Sequence, residues 1–181
     1  MKTDLEENIE IPEGVTIAVD DNVYSFKGPK GENSRKFYNP RLGITLEGNN
    51  LILRANAATK REKKLIYTMA AHIRNLIWGV METHEYKLKI CSGHFPMNVA
   101  INNNVLTIKN FLGEAVPRTL KIKEGSDVKV DGQIITVVST DIEKAGQTAA
   151  SIEQLTRITN RDRRIFQDGI FIIEKSKRTR A

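Results

Sequence analysis

The chain has 181 residues, 40% of them hydrophobic and 28% charged, the mixture of a folded protein of one or two domains. Its 28 Lys and Arg against 22 Asp and Glu leave a net +6, and a single cysteine excludes an internal disulfide framework. No stretch approaches the roughly 20 apolar residues that cross a bilayer, and the acidic start (Asp4, Glu6, Glu7) has no apolar run, so a cytosolic protein is expected.

The first predicted element is a hairpin. In Ile17-Ala18-Val19-Asp20-Asp21-Asn22-Val23-Tyr24-Ser25-Phe26-Lys27 an alternating apolar run meets an Asp/Asn cluster, and a second alternating run follows. Asp and Asn tolerate the left-handed backbone that tight turns require. Gly28-Pro29-Lys30-Gly31 comes next. It lacks the spacing of a phosphate-binding loop, and proline has no N–H to donate, so it reads as a turn. Ile44-Thr45-Leu46-Glu47-Gly48 and Leu51-Ile52-Leu53 form a second hairpin. The period then becomes helical: Leu65, Met69, Ile73, Leu76 and Val80 make one apolar stripe, and Thr59 with Glu62 three residues on is a capping box at its start. Gly79 and the polar Glu82-Thr83-His84-Glu85 mark the boundary between a first domain, 1–82, and a second, 83–181.

From there the pattern repeats. Val99-Ala100-Ile101-Asn102-Asn103-Asn104-Val105-Leu106-Thr107-Ile108-Lys109 matches the first hairpin position by position at a constant offset of 82. Val128-Lys129-Val130-Asp131-Gly132 and Ile134-Ile135-Thr136-Val137-Val138 repeat the second, and Ala145, Ala149, Ile152 and Leu155 give a thinner helical stripe opened by Thr140 and Glu143. Hairpin, hairpin and capped helix in the same order predict an α+β fold of two homologous domains. Each should be an antiparallel sheet covered on one face by one helix.

The second copy continues where the first stops. Arg157 to Ala181 holds eight basic residues against Asp162, Asp168 and Glu174, which is +5 of the chain's +6. Such a run is either a solvated tail or a surface for a polyanion, and arginine beside a turn suits phosphate. The residues expected to meet such a polyanion, either nucleic acid or an anionic membrane, are Arg157, Arg161, Arg163, Arg164, Lys175 and Lys177, with His94 and Phe95 at a loop tip. Asp162 and Asp168 read as orienting arginines or capping turns, and Phe111 reads as core. Cys91, His94, His84 and His72 fall short of a zinc ligand set. No nucleophile sits in a recognisable elbow, so neither metal, cofactor nor enzymatic activity is expected.

Several motifs resemble one family over essentially the full length. They are Ile11-Pro12-Glu13-Gly14-Val15, Lys27-Gly28-Pro29-Lys30-Gly31, His94-Phe95-Pro96-x-Asn98-Val99, Asn110-Phe111-Leu112-Gly113-Glu114, and Arg161-Asp162-x-Arg164-x-Phe166-x-Asp168-Gly169-Ile170. The chain resembles the large-subunit ribosomal protein L-six family, called L-nine in eukaryotes, and the last three motifs resemble its archaeal and eukaryotic branch. Bacterial members carry a Pro-rich, Lys/Gly-rich stretch in place of Arg157 to Gly169. The resemblance implies two homologous α/β domains and no enzymatic activity. It also implies binding to large-subunit rRNA, mainly through the second domain, near the sarcin–ricin loop and the region that translational GTPases approach. Neighbouring ribosomal proteins would be further partners, with no membrane and no small-molecule substrate. A freestanding RNA-binding module would need the same basic surface, and the residues alone leave that alternative open.

Overall fold

Turn chemistry and strand alternation build both halves in the same order. In the computed structural model, which describes residues 3–176, the chain divides into two units, Met1–Thr83 and His84–Ala181. The first runs β1 (Thr3–Glu10), β2 (Thr16–Asp20), β3 (Val23–Gly28), β4 (Gly31–Lys36), β5 (Gly43–Glu47), β6 (Asn50–Ala58) and α1 (Lys60–Glu82). The second runs β7 (His84–Cys91), β8 (Asn98–Asn102), β9 (Val105–Lys109), β10 (Arg118–Lys121), β11 (Asp127–Asp131), β12 (Ile134–Ser139), α2 (Ile142–Leu155) and β13 (Gly169–Glu174). β2–β3 and β8–β9 close with the same two-residue turn. Asp21 and Asn22 have φ of 38° and 64°, and Asn103 and Asn104 have 48° and 63°. Left-handed backbone at both central positions matches the twist of the flanking strands.

The fold is α+β with antiparallel pairing throughout, and the order of elements is duplicated. In each unit the strands form two sheets rather than the one expected from the hairpins. The first hairpin gains a third strand, giving β2-β3-β4 and β10-β9-β8. The second gains the unit's opening strand, giving β1-β6-β5 and β11-β12-β7-β13. Phe26, Leu51, Leu53, Ile66, Ile73 and Val80 lie at the centre of the first core, and Leu88, Leu106, Ile108, Phe111, Ile135, Ile152 and Ile170 at the centre of the second.

The helices depart from expectation in two details. The buried face of α1 centres on Ile66, Met69, Ile73, Leu76 and Val80, while Leu65 sits half-buried at its margin. α2 is capped by Asp141, not Thr140: its extended backbone (φ −110°, ψ 115°) lets Oδ1 accept the Glu143 N–H at 2.8 Å. Asp is at least as strong an N-cap acceptor as Thr, so the start moves by one residue. The capping box of α1 is formed, with Thr59 and Glu62 each bonding the other's backbone end.

The Gly28–Gly31 turn is a docking element. The Lys30 N–H donates to the Val80 carbonyl near the end of α1 at 2.9 Å. A Cβ on Gly28 would lie 2.7 Å from that oxygen, so the turn requires glycine there. In unit 2, β13 is an edge strand, and side chains from the C-terminal end of α2 and its cap occupy two of its N–H groups. Ile170 donates to Thr156 Oγ1 at 2.9 Å and Ile172 to Glu153 Oε1 at 3.0 Å.

Candidate nucleic-acid interface

The segment joining α2 to β13 gathers the arginines. Arg157, Arg161, Arg163 and Arg164 line one open groove of about 1150 Å³, together with Phe166, Asp168, Phe171 and Cys91. A tight turn sets their spacing. The Asp162 carbonyl accepts the N–H groups of Ile165 and Phe166 at 3.1 and 3.0 Å, and its carboxylate accepts the Arg164 N–H at 2.9 Å. Side chains folded back over their own turn in this way are characteristic of Asp.

The four arginines differ in how free their charge is. Arg164 grips Asp162 through Nε and Nη2, at 3.1 and 2.7 Å, although its side chain is 90% exposed. The Arg164 guanidinium and then its backbone N–H hold the Asp162 carboxyl below its ordinary pKa. Arg161 lies with Cζ 5.1 Å from the centroid of the Phe166 ring. Arg157 and Arg163 are exposed, and neither side chain has a partner among the described residues. Two arginines are thus open to solvent, one is stacked and one is tied to a carboxylate.

His94 does not itself line the groove but packs against Phe166, which does. Its ring lies 5.1 Å from the Phe166 ring, centroid to centroid, with an interplanar angle of 41°. Asp168, 2% exposed, holds the loop that carries it. The carboxylate accepts the N–H of Gly93 at 2.8 Å, of His94 at 3.1 Å and of Phe95 at 3.4 Å, and faces His94 Nδ1 at 3.1 Å. Burial pushes the Asp168 pKa up, but these donors outweigh it and leave the carboxyl below its usual range. Asp168 therefore caps a loop rather than orienting an arginine.

Other expected residues lie apart. Phe95 turns toward Gly113, at which a Cβ would sit 3.4 Å from its ring, and does not line the groove. Lys175 follows β13 and does not line it either, and Lys177 lies outside the described residues. Among the described residues no group of three His, Cys, Asp or Glu could hold a metal ion. His84 and Cys91 stand at opposite ends of β7, with His84 Nδ1 2.9 Å from Ser176 Oγ.

Arg118 is the important residue that sequence reasoning passed over. Its guanidinium lies 4.3 Å from the centroid of the buried Phe111 ring and forks onto Glu114 at 2.8 and 2.6 Å. Nη1 also donates to the Leu155 carbonyl at 2.6 Å, at the end of α2, and to the Arg157 carbonyl at 3.4 Å. It thereby fixes the point at which the arginine segment leaves the helix. Arg118 first, and Arg161 by its charge, hold the Glu114 carboxyl below its ordinary pKa against the effect of burial. A basic residue opening a short strand carries no sign of this role in the sequence. Phe166, Arg161 and His94 were each visible within their motifs, but their stacking on one another was not.

Comparison with known proteins assigns this arrangement to a family. Residues 11–83 and 95–169 each match the profile of Ribosomal protein L6, so the two matches fall on the two structural units. Three similar archaeal proteins are each named large ribosomal subunit protein uL6. The one from Methanobrevibacter smithii is 46% identical over 94% of this chain and 96% of its own length. The one from Desulfurococcus amylolyticus is 47% identical over 94% and 95%. The one from Methanosarcina mazei is 43% identical over 97% and 100%. With the family profile matched in both halves and relatives covered almost end to end, the chain belongs to the ribosomal protein L6 family.

Proposed function

We propose that the protein is a structural, non-catalytic constituent of the large ribosomal subunit in the cytoplasm, which binds large-subunit rRNA chiefly through the arginine-lined groove of unit 2. One observation carries the assignment of the surface: Arg157 and Arg163 stand exposed, without side-chain partners among the described residues, beside Arg161 and Arg164 on a single groove. Unpaired arginines on a rigid turn are preorganised for phosphate, whose oxygens they grip in pairs. Phosphate contacts position a protein without reading bases. Selectivity then comes from the shape of the folded RNA, with His94 held against Phe166 by Asp168, and Phe95 and Lys175 as outlying contacts. Family membership supports a docking place near the sarcin–ricin loop, in the region translational GTPases approach, with other large-subunit proteins as neighbours.

Sedimentation tests the reading. The tagged protein should travel with large subunits through a high-salt sucrose gradient. A chain with Arg157, Arg161 and Arg163 changed to Gln should remain near the top. Equal sedimentation of both chains would show that the groove does not hold the protein in the particle.

A further inference from the structure

The start of α1 is built against its own electrostatics. It reads Lys60-Arg61-Glu62-Lys63-Lys64, four cations in five residues, at the end where the helix dipole is positive and acidic residues are favoured. The one acid cannot neutralise its neighbours. Glu62 is buried, closes the capping box with Thr59 and pairs with Arg41 Nη1 at 2.8 Å. Lys60, Arg61, Lys63 and Lys64 are exposed, and none of their side chains has a partner among the described residues. Several other cations of this unit stand against carboxylates: Lys27 by Glu32, Arg54 by Glu6 and Glu47, Arg74 by Glu7. Tyr67, 47% exposed, lies three, four and seven residues beyond Lys64, Lys63 and Lys60, on the same helical face.

We propose that this face of α1 is a second polyanion-binding surface, taking the phosphate backbone of a further segment of ribosomal RNA. The inference rests on the protein being an rRNA binder but not on any residue of the unit 2 groove. RNA fits better than an acidic protein surface. Lysine ammonium groups on long stems follow an irregular phosphate path, and an exposed tyrosine among them offers a platform for an unstacked base.

The test uses the full chain and RNA extracted from large subunits, with affinity measured across a salt series. Changing Lys60, Arg61, Lys63 and Lys64 to Gln should make the slope of log K against log salt shallower by about three units, at roughly 0.7–0.9 for each of the four charges removed. The melting temperature should hold or rise, because cations opposing the dipole have gone. Changing the three lysines to Arg should preserve the slope, which separates charge from any loss of fold. An unaltered slope in the Gln variant, with a shallower one in the groove variant, overturns this surface alone. Unaltered slopes in both overturn the RNA-binding reading itself. A Gln variant with the parent slope that no longer enters large subunits overturns the RNA assignment in favour of an acidic protein partner.

Discussion

Asp168 and His94 meet twice: the carboxylate accepts the His94 backbone N–H at 3.1 Å and faces its ring Nδ1 at 3.1 Å. One buried acid thus sets both the path of the loop and the orientation of the ring that lies against Phe166. Asn at position 168 keeps the shape but turns an NH₂ group toward a cluster of donors. Asp168→Asn should destabilise unit 2 by about 2 kcal/mol, the scale of hydrogen bonds to a buried charged group. Denaturant unfolding followed by near-UV circular dichroism measures it. Wild-type stability in the variant would mean that the loop holds without the carboxylate.

Arg118 predicts a different pattern. Its planar group covers Phe111 and forks onto Glu114 while donating to the Leu155 carbonyl. An ammonium can supply the charge but neither the stack nor the fork. Arg118→Ala should cost about 2 kcal/mol, and Arg118→Lys should recover less than half of that. A proton NMR titration of Glu114 in either variant should show its pKa moving back up toward the ordinary range. Full rescue by lysine would reduce the role of Arg118 to simple charge.

The neighbours Arg163 and Arg164 should separate in RNA binding. Arg163 has no side-chain partner among the described residues, whereas Arg164 is held by Asp162. Arg163→Ala should flatten the salt slope by about one unit or a little less. Arg164→Ala should flatten it by less, and the double change should weaken binding while the far-UV circular dichroism spectrum stays in place. If the double variant keeps the parent slope, the interface lies elsewhere on unit 2.

Glu62 makes the start of α1 sensitive to acid. The Thr59 hydroxyl, then Arg41, then the Thr59 backbone N–H lower its pKa from 4.5 to about 2. A depressed carboxylate pKa contributes stability that is fully present above its unfolded value and is lost as pH falls through the folded one. Unit 1 should therefore lose stability progressively from pH 4.5 down to about 2 through this group. Glu62→Gln should be less stable than the parent near pH 6 and equal to it near pH 2. Thermal melts across that range decide, and a constant gap at every pH would contradict the linkage.

The duplication and the four hairpins were legible because alternation and Asp/Asn turns are local signals, seen in Ile17–Lys27 and again in Val99–Lys109. β1 was not. Its exposed positions carry Asp4, Glu6, Asn8 and Glu10, leaving Leu5 and Ile9 as its inward apolar residues, too sparse to announce a strand. Each unit's split into two sheets was hidden for a related reason, since it depends on strands joined across long sequence separations. The arginine cluster showed in composition, but which arginines remain free did not. That is decided by Asp162 folding back on Arg164, by Phe166 beneath Arg161, and by Asp168 reaching a loop 75 positions earlier.

The sealed rim of β13 bears on the life of the chain before it meets any RNA. An open strand edge is a template on which further copies can add. Here Thr156 and Glu153 take the Ile170 and Ile172 N–H groups, while Phe171 and Ile173 remain exposed on the strand. A further strand could add along β13 only by displacing these two side chains, so the greasy strand is guarded by the end of its own helix rather than by charges on the strand itself.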